Sequence, residues 1–129
     1  MNFKTSIKKI VIDLDDTLCS TIDGDYSNSV PKVTVIEKLK EYRELGFEIA
    51  ISTSRNMRTY GGSVGKINAH TLPIIIQWLE RHGVPYDEVH VGKPWCGDGG
   101  FYVDDKAIRP DEFLTMAYEQ VCDLLSNKR

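Results

Sequence analysis

In Ile10-Val11-Ile12-Asp13-Leu14-Asp15-Asp16-Thr17-Leu18 an apolar run turns abruptly into three carboxylates. Ile10 to Ile12 suit a buried strand, but bare carboxylates cannot be left unpaired in a core. The junction therefore belongs at a strand end, facing water or a cation. Side chains alternate along an extended chain, so Asp13 and Asp15 point one way while Leu14 and Asp16 point the other. Two like charges ~4 Å apart repel by ~1 kcal/mol in bulk water and ~4 kcal/mol at an effective dielectric of about 20. The pair thus requires a metal ion, a shared proton or a basic neighbour. Asp16, on the other side, reads as a hydrogen-bonding residue of the turn.

The chain has 129 residues, a length that predicts one compact domain. It is 41% hydrophobic and 27% charged with a net charge of -3, which fits a soluble globular protein without general attraction to nucleic acid or anionic membrane. No apolar stretch reaches signal-peptide or membrane-span length, and a cytoplasmic location is the expectation. Cys19, Cys96 and Cys122 are odd in number and far apart, so neither a disulfide framework nor a zinc site is indicated.

Strand and helix signals alternate along the chain. Ile7 to Ile12 reads as a first strand, apolar enough to be central in a sheet covered on both faces. Cys19 to Pro31 is polar and predicts a short flap, with Pro31 opening a helix. Val35, Ile36, Leu39 and Tyr42 follow helical spacing, and Gly46 is placed to end that helix. Phe47 to Ile51 predicts a second strand, ending in Ser52-Thr53-Ser54-Arg55-Asn56. Met57 to His70 has no clear period and reads as a loop able to cover a site. Its Gly61-Gly62-Ser63-Val64-Gly65-Lys66-Ile67 is not a P-loop, because the glycine spacing is short by one and Ile67 stands where Ser or Thr is needed. Thr71 and Pro73 open a further helix that ends at Gly83. Glu88 to Val91 predicts a third strand, Phe101 to Val103 a fourth, and Pro110 to Leu125 a last amphipathic helix. Such alternation predicts an α/β fold of the Rossmann-like three-layer kind, with a mostly parallel sheet and sites beyond the carboxyl ends of its strands. Asp13 with Asp15, Thr53, Lys93, and Asp104 with Asp105 all fall at such ends.

Carboxylates gathered around one point suit a hard cation, and few protein donors suit magnesium. Asp13 and Asp104 are the first candidates to hold it. A carboxylate such as Asp13 can also attack phosphorus, giving an aspartyl phosphate. Asp15 can then protonate the leaving oxygen and later activate water. Thr53 and Lys93 can hold phosphoryl oxygens as charge moves. Ser54, Arg55 and Asn56 extend this phosphate-binding strand end, with Arg55 next to Thr53 able to bind an anionic substrate. Asp105 could serve the metal through water or pair with Lys106.

The motif Asp13-Leu14-Asp15-Asp16-Thr17-Leu18 after an apolar strand resembles the first motif of the haloacid dehalogenase (HAD) superfamily. Thr53 is similar to its second motif, Lys93 to its third, and Asp104-Asp105 to its acidic fourth. The stretches Ile51 to Tyr60 and Gly92 to Cys96 resemble small phosphatases assigned to capsular polysaccharide biosynthesis. The resemblance implies a HAD-like hydrolase domain spanning 1–129 without a cap domain. It implies a magnesium-dependent phosphatase acting on a phosphorylated metabolite such as a sugar phosphate. Asp13 would be nucleophile and metal ligand, and Asp15 acid/base while lending its backbone carbonyl to magnesium. Asp104 would be the second carboxylate ligand, with Asp105 beside it. The absence of a cap leaves the flap, the 57–70 loop or a neighbouring subunit of a homo-oligomer to cover the site. Two other classes stay open: a receiver-like phosphoacceptor domain, and a catalytically idle binding module on the same fold.

Overall fold

The computed structural model describes residues 7–21 and 24–126. They fall into two compact units that divide between Trp95 and Cys96.

The first unit runs β1 (Lys9–Asp13), β2 (Cys19–Ser20), β3 (Val30–Pro31), α1 (Val33–Glu44), β4 (Glu48–Ser52), α2 (Val64–His70), α3 (Leu72–Arg81) and β5 (Glu88–His90). β1, β4 and β5 form a parallel sheet in the order β1-β4-β5, with Ile12 opposite Ile51 and Asp13 opposite Ser52. Every residue from Ile49 to Ile51 is buried, so β4 is covered on both faces, and its apolar run has the composition such a strand needs. α1 buries Val35, Ile36, Leu39 and Tyr42, the predicted stripe, and packs on β4. It is followed by Gly46 at φ 92°, and the Phe47 ring meets the Tyr42 ring edge-on at 5.0 Å.

Three expectations change here. β1 is the edge of this sheet among the described residues, not a central strand, and Val11 is 65% exposed. Pro31 does not open a helix; it pairs with Cys19 in the antiparallel β2-β3 hairpin, which carries a 3₁₀ turn over Tyr26–Asn28. Met57 to His70 is a loop only in its first half. From Val64 onward it is α2, whose Lys66 N–H is accepted by Ser63 Oγ at 3.3 Å and whose Ile67 is buried. A seven-residue helix with one buried apolar residue leaves almost no periodic trace in sequence.

The second unit contains α4 (Pro110–Thr115) and α5 (Tyr118–Ser126). The expected single helix is two, because the Ala117 N–H is taken by Gln120 Oε1 at 2.7 Å, which starts a new helix there. The expected strand Phe101 to Val103 lies outside any strand. Strand conformation holds only against a hydrogen-bonding neighbour. No helix among the described residues is long and apolar enough to cross a membrane.

Candidate active site

The end of β1 turns sharply. Asp16 adopts φ 64°, its N–H donates to the Cys19 carbonyl at 2.8 Å, and Lys32 Nζ donates to its own carbonyl at 3.0 Å. This is the expected turn role, in the left-handed region that Asp tolerates better than most residues. The turn leaves Leu14 buried and presents Asp13 and Asp15, each partly exposed.

The two carboxylates meet different neighbours. Asp13 Oδ2 accepts the Thr17 hydroxyl at 3.4 Å, and Asp13 Oδ1 lies 3.6 Å from Lys93 Nζ. Burial pushes the Asp13 carboxyl above the ordinary carboxylate range; the Lys93 ammonium works against that shift and the Asp15 charge adds to it. Asp15 is gripped by Arg55, whose Nε–H and Nη2–H donate to its two oxygens at 3.1 and 2.7 Å. The Thr21 hydroxyl donates to Asp15 Oδ1 at 3.2 Å. A bidentate guanidinium supplies the basic neighbour that the close acidic pair requires.

Arg55, expected to bind substrate, is paired with Asp15 in this structure. It is 4% exposed, its guanidinium lies 4.2 Å from the centre of the Tyr26 ring, and only its Nη1 has no hydrogen-bond partner. An arginine beside a strand end reads in sequence as a ligand for anions, because nothing there shows a partner 40 residues upstream. Asn56 is likewise engaged in the scaffold. At φ 62° it accepts the Thr71 hydroxyl at 2.7 Å and donates to Thr59 at 3.2 Å, tying the loop after β4 to the start of α3. Ser54 closes the same turn through its carbonyl, which accepts the Met57 N–H at 3.0 Å.

The sheet itself holds Thr53 and Lys93 side by side. The Thr53 N–H donates to the His90 carbonyl at 2.9 Å, and the Thr53 carbonyl accepts the Lys93 N–H at 3.1 Å. The Thr53 side chain is buried, and Oγ1 accepts the Arg55 N–H at 3.0 Å. Gly92 permits this crossing: at φ 81° it sits so close to α2 that an added Cβ would meet Val64 Cγ2 at 2.9 Å. Trp95 lies under the Arg58 guanidinium at 5.5 Å. Cys19 Sγ approaches Asp15 Oδ1 at 3.8 Å, but burial pushes its thiol up, so it stays protonated and poorly nucleophilic.

Asp104 and Asp105 belong to the second unit. Both are exposed, and Asp104 Oδ1 accepts the Lys106 backbone N–H at 2.9 Å. Among the described residues no three His, Cys, Asp or Glu side chains converge as a metal site. With Asp15 committed to Arg55, Asp13 is the carboxylate the first unit offers a cation. Magnesium is usually held by one or two carboxylates together with waters and substrate phosphate.

Among curated proteins, none matches the chain. A crystal structure of a protein from Vibrio cholerae is 60% identical and covers 92% of this chain and 97% of its own, with a TM-score of 0.90. A Pnkp1/Rnl/Hen1 complex is similar at 18% identity and TM-score 0.51, over 70% of this chain and 30% of that one, a likeness of fold. D,D-heptose 1,7-bisphosphate phosphatase from B. bronchiseptica, solved with magnesium and phosphate, is 14% identical, with TM-score 0.48 over 72% of this chain and 54% of that one. The family profile for haloacid dehalogenase-like hydrolases matches residues 10–77, more than half of the sequence, and takes in Asp13, Asp15 and Thr53. On that match, and with its parallel α/β sheet, the chain belongs to the haloacid dehalogenase-like hydrolase family.

Proposed function

We propose that the protein is a magnesium-dependent phosphomonoesterase that acts in the cytoplasm on a small phosphorylated metabolite through an aspartyl phosphate on Asp13. The supporting observation is the approach of Lys93 Nζ to 3.6 Å from Asp13 Oδ1 at the carboxyl end of β1. A lysine there favours the ionised nucleophile and offers N–H donors to phosphoryl oxygens, the electrostatic work on which phosphoryl transfer mainly depends.

In the first half-reaction an Asp13 oxygen bonds to phosphorus while the bond from phosphorus to the alcohol oxygen breaks. Asp15, which takes up a proton when it leaves Arg55, gives that proton to the leaving oxygen. In the second half, water attacks phosphorus, Asp15 takes a proton from it, the bond to Asp13 breaks, and inorganic phosphate leaves. Asp15 can do this only by exchanging Arg55 for the leaving oxygen, since both its oxygens are held by the guanidinium. Asp13 would help to hold the cation, which when bound would neutralise charge on the phosphoryl oxygens. The resemblance to capsule phosphatases makes sugar phosphates of polysaccharide biosynthesis the first substrates to try.

The test is a phosphate-release screen over sugar phosphates, nucleotides and phospholipid head groups, with and without magnesium. Magnesium-dependent release that Asp13→Asn abolishes supports the reading. Release from none of them, or equal release by Asp13→Asn, overturns it.

A further inference from the structure

We infer that the substrate carries a second anionic group, a phosphate or a carboxylate, besides its reacting phosphoryl group, and that Arg58, held flat against Trp95, receives it. The place of the phosphoryl group, at Asp13 and Lys93, rests on the function proposed above.

The loops that follow β4 and β5 leave the sheet together. At the strand ends the Lys93 N–H donates to the Thr53 carbonyl at 3.1 Å, and farther along the same two loops the Arg58 guanidinium lies 5.5 Å from the centre of the Trp95 ring. Trp95 is two residues beyond Lys93, so their Cα atoms are at most ~7 Å apart. The loop that bears Arg58 is a run of tight turns. The Met57 N–H donates to the Ser54 carbonyl at 3.0 Å, the Tyr60 N–H to the Asn56 carbonyl at 3.0 Å and the Gly62 N–H to the Met57 carbonyl at 2.8 Å. Asn56 anchors the run to Thr71. Arg58 is thus presented from a fixed backbone, beside the loop that carries Lys93.

The charge on these loops is one-sided. No Asp or Glu stands between Glu48 and Glu80 or between Glu88 and Asp98, whereas Arg55, Arg58, Lys66 and Lys93 all do. Asp15 answers Arg55 and Asp13 answers Lys93. Arg58 and Lys66 are exposed and pair with no carboxylate among the described residues. An exposed cation is ordinarily just solvated. Arg58 differs from Lys66 because an indole face fixes the plane of its guanidinium, and a planar fork with its N–H edge open suits two-point binding of phosphate or carboxylate. Trp95 keeps 44% of its surface exposed, which leaves apolar area for the carbon skeleton between the two anions. A substrate with one phosphoryl group alone would leave Arg58 unmatched.

Binding to the Asp13→Asn chain, measured by calorimetry with magnesium present, tests this without turnover. The probes are glucose 1,6-bisphosphate and 6-phosphogluconate, whose second anions are a phosphate and a carboxylate, and glucose 6-phosphate, which has none. At least one of the first two should bind about tenfold or more tighter than glucose 6-phosphate. Arg58→Gln in the same chain should remove that preference and leave glucose 6-phosphate binding within about twofold. Trp95→Ala should lower the preference in part, and Lys66→Gln should weaken all three probes alike. Arg58 and Trp95 are exposed, so these variants should melt with the parent. No preference in the parent, whether all three probes bind alike or none binds, overturns the proposal, as does a preference that Arg58→Gln retains. Failure of the wild-type chain to release phosphate counts against the phosphatase reading alone, because the preference is read without turnover.

Discussion

Asp13 and Asp104 are the same side chain in opposite surroundings. Asp13 sits at the end of a paired strand, with the Thr17 hydroxyl and the Lys93 ammonium on its two oxygens, and burial makes its charge costly. Asp104 is exposed in a turn and meets a backbone N–H. A carboxylate held where ionisation is costly, beside a cationic side chain, is arranged for reaction. One held in water has its geometry to gain from whatever docks on it. The difference between the two units thus predicts a difference between two chemically identical substitutions.

The largest effect belongs to Asp13→Asn, which removes the nucleophile and should lower phosphate release by about a thousandfold or more. Asp104→Asn keeps the nucleophile and weakens cation binding, for a loss of about 10–100-fold that raised magnesium partly restores. Its melting temperature should match wild type, because exposed substitutions usually shift stability by less than about 0.5 kcal/mol. Equal losses that no magnesium level distinguishes would erase the contrast between the two sites.

The same contrast marks what the sequence makes legible. The parallel strands, α1 and α3 follow from apolar periodicity closed by Gly46 and Gly83, and the order of Asp13, Thr53 and Lys93 follows from strand ends. What escapes it depends on neighbours distant in sequence. β1 has a central strand's composition but edges the sheet among the described residues, because a strand's place is decided by what pairs with it. Phe101–Val103 has strand composition without a strand for the same reason. The pairing of Arg55 with Asp15 and its stacking on the Tyr26 ring are not legible either, because both partners lie far upstream.

Arg55 offers the next test, of moderate size. Arg55→Met keeps an unbranched stem of similar length but strips Asp15 of both guanidinium bonds and leaves it close to Asp13, with Lys93 as the remaining cation beside the pair. Removing one partner of a fully buried pair costs about 3–5 kcal/mol. The Asp15 side chain is 27% exposed and water repays part of that, so the loss should be about 2–3 kcal/mol by chemical denaturation. A loss below about 0.5 kcal/mol would show that Asp15 does not depend on Arg55.

The smallest effect concerns the proton on Asp13, and its sign follows from linkage. Burial raises the folded-state carboxyl above its unfolded value, so the folded chain binds the proton more tightly than the unfolded chain does. Below the unfolded value, about 3.9, Asp13 is protonated in both states and costs nothing. As pH rises through the folded value the buried charge forms and stability is lost. Asp13→Asn never ionises and escapes that loss, although it also gives up the attraction of Lys93, which opposes the burial. The substituted protein should therefore melt higher than wild type at neutral pH, and the gain should shrink on acidification and vanish below about pH 4. A gain that instead grew on acidification would mean that attraction to Lys93 outweighs burial at this strand end.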